Sequence, residues 1–229
     1  MISIIIPTLN EEKHLPILLE SIKMQKVHCE IIVADNGSKD RTTAIARRYG
    51  CKLIQGGLPS RARNNGARVA KNNQLFFLDA DAELLPGFLD YSLSYIKQHN
   101  LEVAGTYILP RSKKIIDKTA YHVGNLWMNT FKRIKPYAHG ICIFSTKSVH
   151  EKIGGFDETI TFGEDGDYVN RAGKIAKFGM IKMPVFTSVR RFDKEGRIKS
   201  LFKYARLNLH RAVKGEIRKD VDYKFGHYD

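Results

Sequence analysis

The sequence predicts an α/β fold, a mostly parallel sheet flanked by helices, and three observations carry that prediction. Short β-branched and apolar runs alternate with stretches whose apolar residues recur at helical spacing. The segments between successive runs have the length that βαβ crossovers need. Polar clusters follow the carboxyl ends of several runs, the edge of an open α/β sheet where ligands bind.

The elements follow in order. Residues 3–7 are a β-branched run, and after Thr8, Leu9 and Asn10 comes a helix over 11–24, where Leu15, Leu18, Leu19 and Ile22 share one face. A strand is predicted at 30–34, a turn at Asn36, Gly37 and Ser38, and a helix from about 40 to 49. Gly50 ends that helix, because glycine accepts the left-handed conformation just past a helix terminus. A strand at 52–55 leads through Gly56, Gly57, Pro59 and Ser60 to a helix over about 61–71. The fourth strand is 75–78, a helix follows at 86–99, and a further strand is expected at 141–144. There is no internal repeat and no low-complexity linker.

Composition sets the outer bounds. The chain has 229 residues, 43% of them hydrophobic, enough for one sizeable core. No apolar stretch approaches the roughly 18 residues of a membrane span, and the start lacks the charged leader of a signal peptide, so a cytoplasmic protein is expected. The three cysteines are far apart and the eight histidines scattered, which predicts reduced thiols and no zinc site. A net charge of +14 calls for anionic partners: nucleic acid, phosphorylated metabolites or an anionic membrane face. Lysine and arginine dominate between 182 and 219, whereas the carboxylates of interest fall between 35 and 167. The expected organisation is therefore one domain over 1–189, with halves at about 1–105 and 106–189, and a basic helical annex over 190–229.

The apolar run ending at Leu78 empties into Asp79 and Asp81, two carboxylates at alternate positions. Carboxylate oxygens suit Mg²⁺ or Mn²⁺, which commonly take one or two of them and complete the shell with substrate phosphates. A solvated turn is the plainer reading of so short a motif. Two other strand ends carry polar clusters as well: Pro7 to Glu11 after the first, Asp35 to Asp40 after the second. In a parallel sheet all three converge on one edge. Taken singly, Asn10 reads as a helix cap and Asp35 to Ser38 as turn chemistry.

With these motifs in place, the chain resembles the inverting family 2 of nucleotide-sugar glycosyltransferases. The resemblance rests on Ser3 to Glu12, Ile31 to Asp40, Ala62 to Ala67 and Leu78 to Asp81. Two later segments join them, Gly154, Gly155, Phe156, Asp157, Glu158 and then Gly163 to Arg171. It implies the GT-A fold, a Rossmann-like mixed sheet, and a metal-dependent transfer from a nucleotide diphosphate sugar to a hydroxyl of a glycan or glycolipid. By the same resemblance Pro7, Thr8, Glu11 and Asp35 hold the nucleoside, and Arg63 or Arg61 lies against the base or diphosphate. Asn36 stands where the family usually has a second Asp. Asp81 and Asp79 form the metal pair, for Mn²⁺ or Mg²⁺, with Asp79 also near the ribose. Asp165 is the general base, with Glu164 and Asp167 as neighbouring competitors and Glu164 also facing the acceptor.

A phosphate acceptor, as in polyprenyl-phosphate transferases, is already ionised at neutral pH and needs a base less, so Asp165 favours a hydroxyl. Trp127 and His139, in an aromatic region over 108–139, are candidates for an acceptor platform, with core packing as the alternative. In the annex, Arg190 and Arg191 are candidates to neutralise the diphosphate from a lid. The helical pattern after them places Ile198, Leu201, Phe202, Ala205, Leu209 and Val213 on one side and basic residues on much of the other. Three readings of that helix stand: a helix covering the sheet, a dimer interface, or a helix on an anionic membrane surface at the inner face. Two other functions fit parts of the sequence. A nucleic-acid-binding module explains the charge but leaves the carboxylates without a role. A nucleotidyltransferase needs a triphosphate cradle, and no Gly-rich phosphate loop is present.

Overall fold

Alternation along β1 (Ile2–Thr8) creates both faces of the central sheet, because successive strand side chains point to opposite sides. Ile4 and Ile6 join Phe76, Leu78 and Phe144 on one side, packed against α1 (Leu15–Lys23) and α4 (Phe88–His99). Ile5 joins Phe77 and Ile143 on the other, against α3 (Pro59–Val69) and α7 (Glu164–Gly173). Every residue of β1 is buried, as a strand covered on both faces requires. Helix α3 sits so close to β1 that a Cβ on Gly66 would overlap the Ile5 side chain. The structure is a computed structural model in which residues 1–132, 134 and 136–218 are described; the annex residues 219–229 lie outside them.

Among the described residues one eight-stranded sheet has the order β3-β2-β1-β4-β7-β6-β8-β5. Its first four members, β3 (Lys52–Gln55), β2 (Cys29–Asp35), β1 and β4 (Gln74–Leu78), are mutually parallel. The strand β7 (Cys142–Thr146) is antiparallel to β4 and to β6 (Val103–Pro110), which runs parallel to β8 (Phe178–Thr187). The three-residue β5 (Ala82–Leu84) pairs antiparallel with β8, so Asp79 and Asp81 occupy a tight connection between two strands of one sheet.

The strands and helices expected from periodicity are present, with α2 (Thr42–Arg48) between β2 and β3. The first helix starts at Leu15 rather than at residue 11, because Asn10 has φ of 55° and the loop after β1 is bonded to the loop after β2. Several elements were not foreseen, among them strands β5, β6 and β8 and the helix that follows β6. Strand β5 is too short to show alternation. Helix α5 (Ile115–Phe131) buries only Asp117 and Met128, so no core-facing stripe marks it. The short α6 (Lys147–Lys152) follows β7, and the chain continues through α8 (Arg190–Glu195) and α9 (Arg197–Lys214). Among the described residues no helix is long and apolar enough to cross a membrane.

Candidate active site

The order β2-β1-β4 sets the three polar strand ends side by side at the carboxyl edge. Thr8 and Asp35 are register partners, and the Thr8 hydroxyl donates to Asp35 Oδ1 at 3.0 Å. The Ser38 hydroxyl donates to the same oxygen at 2.5 Å, while the Gly37 and Ser38 amides donate to Oδ2 at 3.0 and 2.9 Å. The turn chemistry read from Asp35 to Ser38 is therefore real, and it holds the carboxylate in place with Pro7 and Thr8 buried beside it. The two loops are stitched further: the Asn10 amide donates to Ser38 Oγ, the Lys39 amide to Asn10 Oδ1, and the Glu11 amide to Thr42 Oγ1. A preorganised wall results, needing little reordering to meet a ligand.

Arg63 occupies the centre. Its side chain is 3% exposed, and it donates through Nη2 to Asp79 Oδ1 at 2.7 Å and through Nη1 to Glu164 Oε1 at 2.9 Å. Its guanidinium also lies 5.2 Å from the Phe156 ring centroid. Burial alone would lower its pKa, but Asp79 and Glu164 reverse that and hold the group firmly protonated. One guanidinium thus joins the acidic connection after β4 to the start of α7, two sites 85 positions apart in sequence.

Asp165, at the start of α7, accepts from the Gly140 amide at 2.7 Å through Oδ2 and from the Gly166 amide at 2.7 Å through Oδ1. Burial pushes its carboxyl above the usual range, with Arg63 opposing. Glu164 is raised by burial and by the charge of Asp165. Asp167 is different: it is bound to Arg171 at 2.7 Å, and Arg171 also donates to the Ile153 and Gly155 carbonyls. Of the three acidic residues here, Asp167 serves the turn at Gly154 and Gly155, away from Arg63.

Asp81 lies across the cleft with its carboxyl pushed up to about 6 by burial, the nearby Asp79 adding to the rise and Arg190 and Arg191 opposing it. Arg190 Nε stands 3.7 Å from Asp81 Oδ2, an ion pair without hydrogen-bond contact, while the guanidinium tips bind Glu11 at 2.6 and 2.9 Å. A cavity of 220 Å³ opens beside Asp81, lined also by Lys13, His14, Arg111 and Ser188. Among the described residues no group of three His, Cys, Asp or Glu could hold a metal ion. Two carboxylates remain, one of them desolvated and short of compensating charge. That donor set fits a Mg²⁺ or Mn²⁺ ion whose other ligands are phosphate oxygens and water.

An aromatic row runs from the Asp165 side of the cleft. Tyr137 meets His139 edge-on at 5.3 Å and Trp127 at 5.8 Å, and Trp127 reaches Phe131 at 5.7 Å. His139 precedes Gly140, the Asp165 donor, and burial lowers its pKa to about 4, so the imidazole is neutral. Trp127 keeps 44% of its surface exposed while contacting Phe131 and Tyr137.

Sequence reasoning missed three features of this site. Asn64 exchanges two hydrogen bonds with the Phe156 backbone, at 2.8 and 2.9 Å, and clamps the Gly154 to Glu158 segment onto α3. Tyr121 of α5 lies near Asp81 and has its pKa raised by burial. The pair of hydrogen bonds from Arg63 to the two acidic motifs is the third. The motif containing Arg63 and Asn64 was visible, but nothing in one sequence says which distant carboxylate or carbonyl each residue meets.

Residues 3–153 match the family described as Glycosyl transferase family 2. The chain is similar to the 4,4'-diaponeurosporenoate glycosyltransferase of Staphylococcus haemolyticus (strain JCSC1435), 32% identical over 158 residues, 65% of this chain and 37% of that protein. It is similar also to the protein of that name from Staphylococcus aureus (strain MRSA252), 30% identical over 144 residues, 58% of this chain and 35% of that one. The match thus spans little more than a third of the length of these curated relatives. Among solved structures, S. aureus TarS 1-349 superposes with a TM-score of 0.67 at 19% identity, covering 87% of this chain and 64% of that one. The mannosyltransferase PcManGT from Pyrobaculum calidifontis, in complex with GDP-Man and Mn²⁺, gives 0.66 at 18% identity, covering 90% and 64%. At these identities the structural likeness speaks for the fold.

Proposed function

Because the chain belongs to glycosyl transferase family 2 and has a GT-A-like fold, we propose that it moves a sugar from a nucleotide diphosphate sugar to an acceptor hydroxyl, with inversion at the anomeric carbon. The observation that carries this reading is the Arg63 bridge, 2.7 Å to Asp79 and 2.9 Å to Glu164, which fixes a donor-side carboxylate and the Glu164–Asp165 pair across one cleft.

In this reading Pro7, Thr8, Glu11 and Asp35 hold the nucleoside, and Arg190 with Arg191 neutralises the diphosphate. Arg63 serves the donor through Asp79, since its terminal nitrogens are already committed to two carboxylates. Asp81 and Asp79 hold a divalent cation, Mn²⁺ or Mg²⁺, which supplies positive charge against that developing on the leaving nucleoside diphosphate. Asp165 takes the acceptor proton as the acceptor oxygen bonds to the anomeric carbon. The bond from that carbon to the diphosphate oxygen breaks, and its electron pair leaves with the diphosphate. The two backbone amides on Asp165 fix the carboxylate's direction, and its raised pKa brings it nearer the working pH of a base.

The acceptor in this proposal is a glycan or glycolipid presenting a sugar ring to Trp127, Tyr137 and His139, with Glu164 beside the reacting hydroxyl. A lipid-type acceptor is supported by the relatives' printed name, and it goes with a cytoplasmic protein working at the inner face of a membrane. Calorimetry against UDP-, GDP-, dTDP- and CMP-linked sugars, each with Mn²⁺, Mg²⁺ or chelator, tests the donor half. Metal-dependent binding of one nucleotide class is expected. Absence of binding to all four overturns the proposal.

A further inference from the structure

Helix α9 presents its apolar stripe to solvent. Ile198, Phe202, Leu209 and Val213 recur along one side at helical spacing and are 68%, 75%, 65% and 73% exposed, with Leu201 at 46%. The stripe runs for about 22 Å at 1.5 Å per residue. An ordinary surface helix turns such a stripe to the core; here the core side receives Ser200 and Leu207 instead. Of the readings of this helix taken from sequence, covering the sheet with its apolar face is thereby excluded.

The stripe does not stand alone. Arg197, the first residue of α9, holds Asp117 in the first turn of α5 with two hydrogen bonds, at 2.7 and 2.9 Å. That contact ties the first turn of α5 to the start of α9, and in that turn Ile115 and Ile116 are 79% and 49% exposed. Basic side chains flank both helices: Lys113, Lys114 and Lys118 on α5 and its approach, Lys199, Arg206 and Lys214 on α9, all exposed. Asp193, the exposed acid at this junction, is already paired with Arg197 at 2.8 Å and Lys114 at 3.8 Å. Helix α9 itself contains no Asp or Glu.

We propose that the joined outer faces of α5 and α9 dock on an anionic lipid bilayer, the apolar stripe entering the headgroup boundary and the flanking lysines and arginines meeting lipid phosphates. Charge complementarity selects this occupant. A second copy of the chain would set the acid-free α9 and its bases against the same bases, whereas an anionic bilayer satisfies the apolar stripe and its cationic rim together. The surface adjoins the cleft: α8 runs from Arg190, bound to Glu11, to the start of α9, and Phe192 of α8 packs on Tyr121 of α5 at 6.3 Å. The proposal deepens the reading of a lipid-linked acceptor, since a docked chain meets its acceptor in the bilayer plane.

Co-sedimentation of the full chain with vesicles tests it, comparing phosphatidylcholine alone with phosphatidylcholine containing about 30% phosphatidylglycerol. Binding to the anionic vesicles only is expected, weakening as salt rises. Ile198→Ser with Phe202→Ser should weaken it about tenfold or more, and Lys199→Glu with Arg206→Glu should do the same, all with unchanged melting temperature. Failure of the parent chain to bind, or binding by either double variant as tight as the parent's, overturns the proposal. Self-association lost in the Phe202→Ser variant without vesicle binding also overturns it, in favour of a dimer. So does competition by polyaspartate that is indifferent to Phe202→Ser, in favour of an acidic protein. Donor binding measured on the same preparations separates this outcome from the fate of the transferase reading, because none of the four substituted residues lies in the cleft.

Discussion

Arg190 sets both terminal nitrogens on the Glu11 carboxylate, at 2.6 and 2.9 Å, joining residues 179 positions apart. Glu11 is 3% exposed, so the pair is shielded from water and from salt. The same guanidinium holds its Nε 3.7 Å from Asp81. The start of α8 is thus latched to the loop after β1 and poised over the acidic connection after β4. In the proposed reaction this latch would hold a cation ready beside Asp81 for the diphosphate.

Replacing Arg190 by Gln leaves Glu11 buried without its principal cation. We expect a loss on the order of 3 kcal/mol in urea denaturation. Adding Glu11→Gln should recover most of it, because two neutral amides need no counter-charge. A single-variant loss near zero would sink the latch. Donor affinity of the double variant measured against Glu11→Gln alone reads Arg190's proposed contact with the diphosphate, and a weakening of about tenfold is expected.

Arg63→Met removes the charge shared by Asp79 and Glu164. Arg63 opposes the burial that raises Glu164 and Asp165, so without it the base ionises at higher pH. The acid limb of kcat/KM should move upward in pH, lowering activity most on its acid side. Arg63→Lys, which keeps a cation but loses the fork that spans two carboxylates, should shift the limb less. Superimposable pH profiles for the parent and the Met variant would count against the assignment.

Much of this was legible in the sequence, for reasons that also mark its limits. The parallel core announced itself because β1, β4 and the second half of β2 are covered on both faces and therefore read as largely apolar runs, while the short edge strand β3 keeps Lys52 and Gln55 exposed. The acidic connection was visible because Asp79 and Asp81 end such a run. Helix α5 stayed hidden because its exposed apolar residues face no core, and β5 because three residues carry no period. The site's wiring was hidden as well: Arg63 and Glu164 lie 101 positions apart, and only the seating of α3 and α7 on the same face of the sheet lets them meet. Asp167 stood in the sequence as a competitor of Asp165, and Arg171, one turn on from Asp167, separates them.

That separation predicts opposite phenotypes. Asp165→Asn should leave donor affinity near normal and slow transfer by about 10²–10⁴-fold, the usual worth of a positioned base. Asp167→Asn breaks its bond to Arg171 and loosens the Gly154 and Gly155 turn, so it should lower the melting temperature while keeping most turnover per folded molecule. Steady-state kinetics with a thermal melt on each variant decides the matter; normal turnover in Asp165→Asn would transfer the role to Glu164.

If Asp81 holds the proposed cation, that cation and a proton compete for one desolvated carboxylate. Its pKa, raised to about 6, means that cation binding below that pH must expel a proton, so metal-supported donor affinity should fall as pH drops through about 6. Asp81→Asn should abolish the metal dependence at every pH. Titrating Mn²⁺ against the donor complex at several pH values checks both statements, and a pH-independent metal affinity would remove Asp81 from the ligand set.

His150 supplies a test of stability that does not touch the cleft. Its ring lies among Phe77, Phe156 and Tyr168, 7% exposed, with Nδ1 at 3.1 Å from the Tyr168 hydroxyl. Burial, with Arg171 and Lys147 adding to it, lowers its pKa to about 4, against roughly 6.5 in an unfolded chain. Between those values the unfolded chain holds a proton that the folded chain does not. Stability therefore rises with pH across the window, is lost as pH falls from about 6.5 toward about 4, and is indifferent to this group above it. The slope from one such histidine is at most about 1.4 kcal/mol per pH unit. His150→Gln keeps a polar partner for Tyr168 and removes the titration, so its stability curve should be flatter than the parent's in that window. His139, with its pKa also near 4, adds a slope of the same sign, and Asp81, raised to about 6, opposes it, both alike in the parent and the variant. Denaturant melts of both proteins at several pH values between 4.5 and 7 read the difference, and parallel curves would mean that His150 takes up its proton without unfolding the chain.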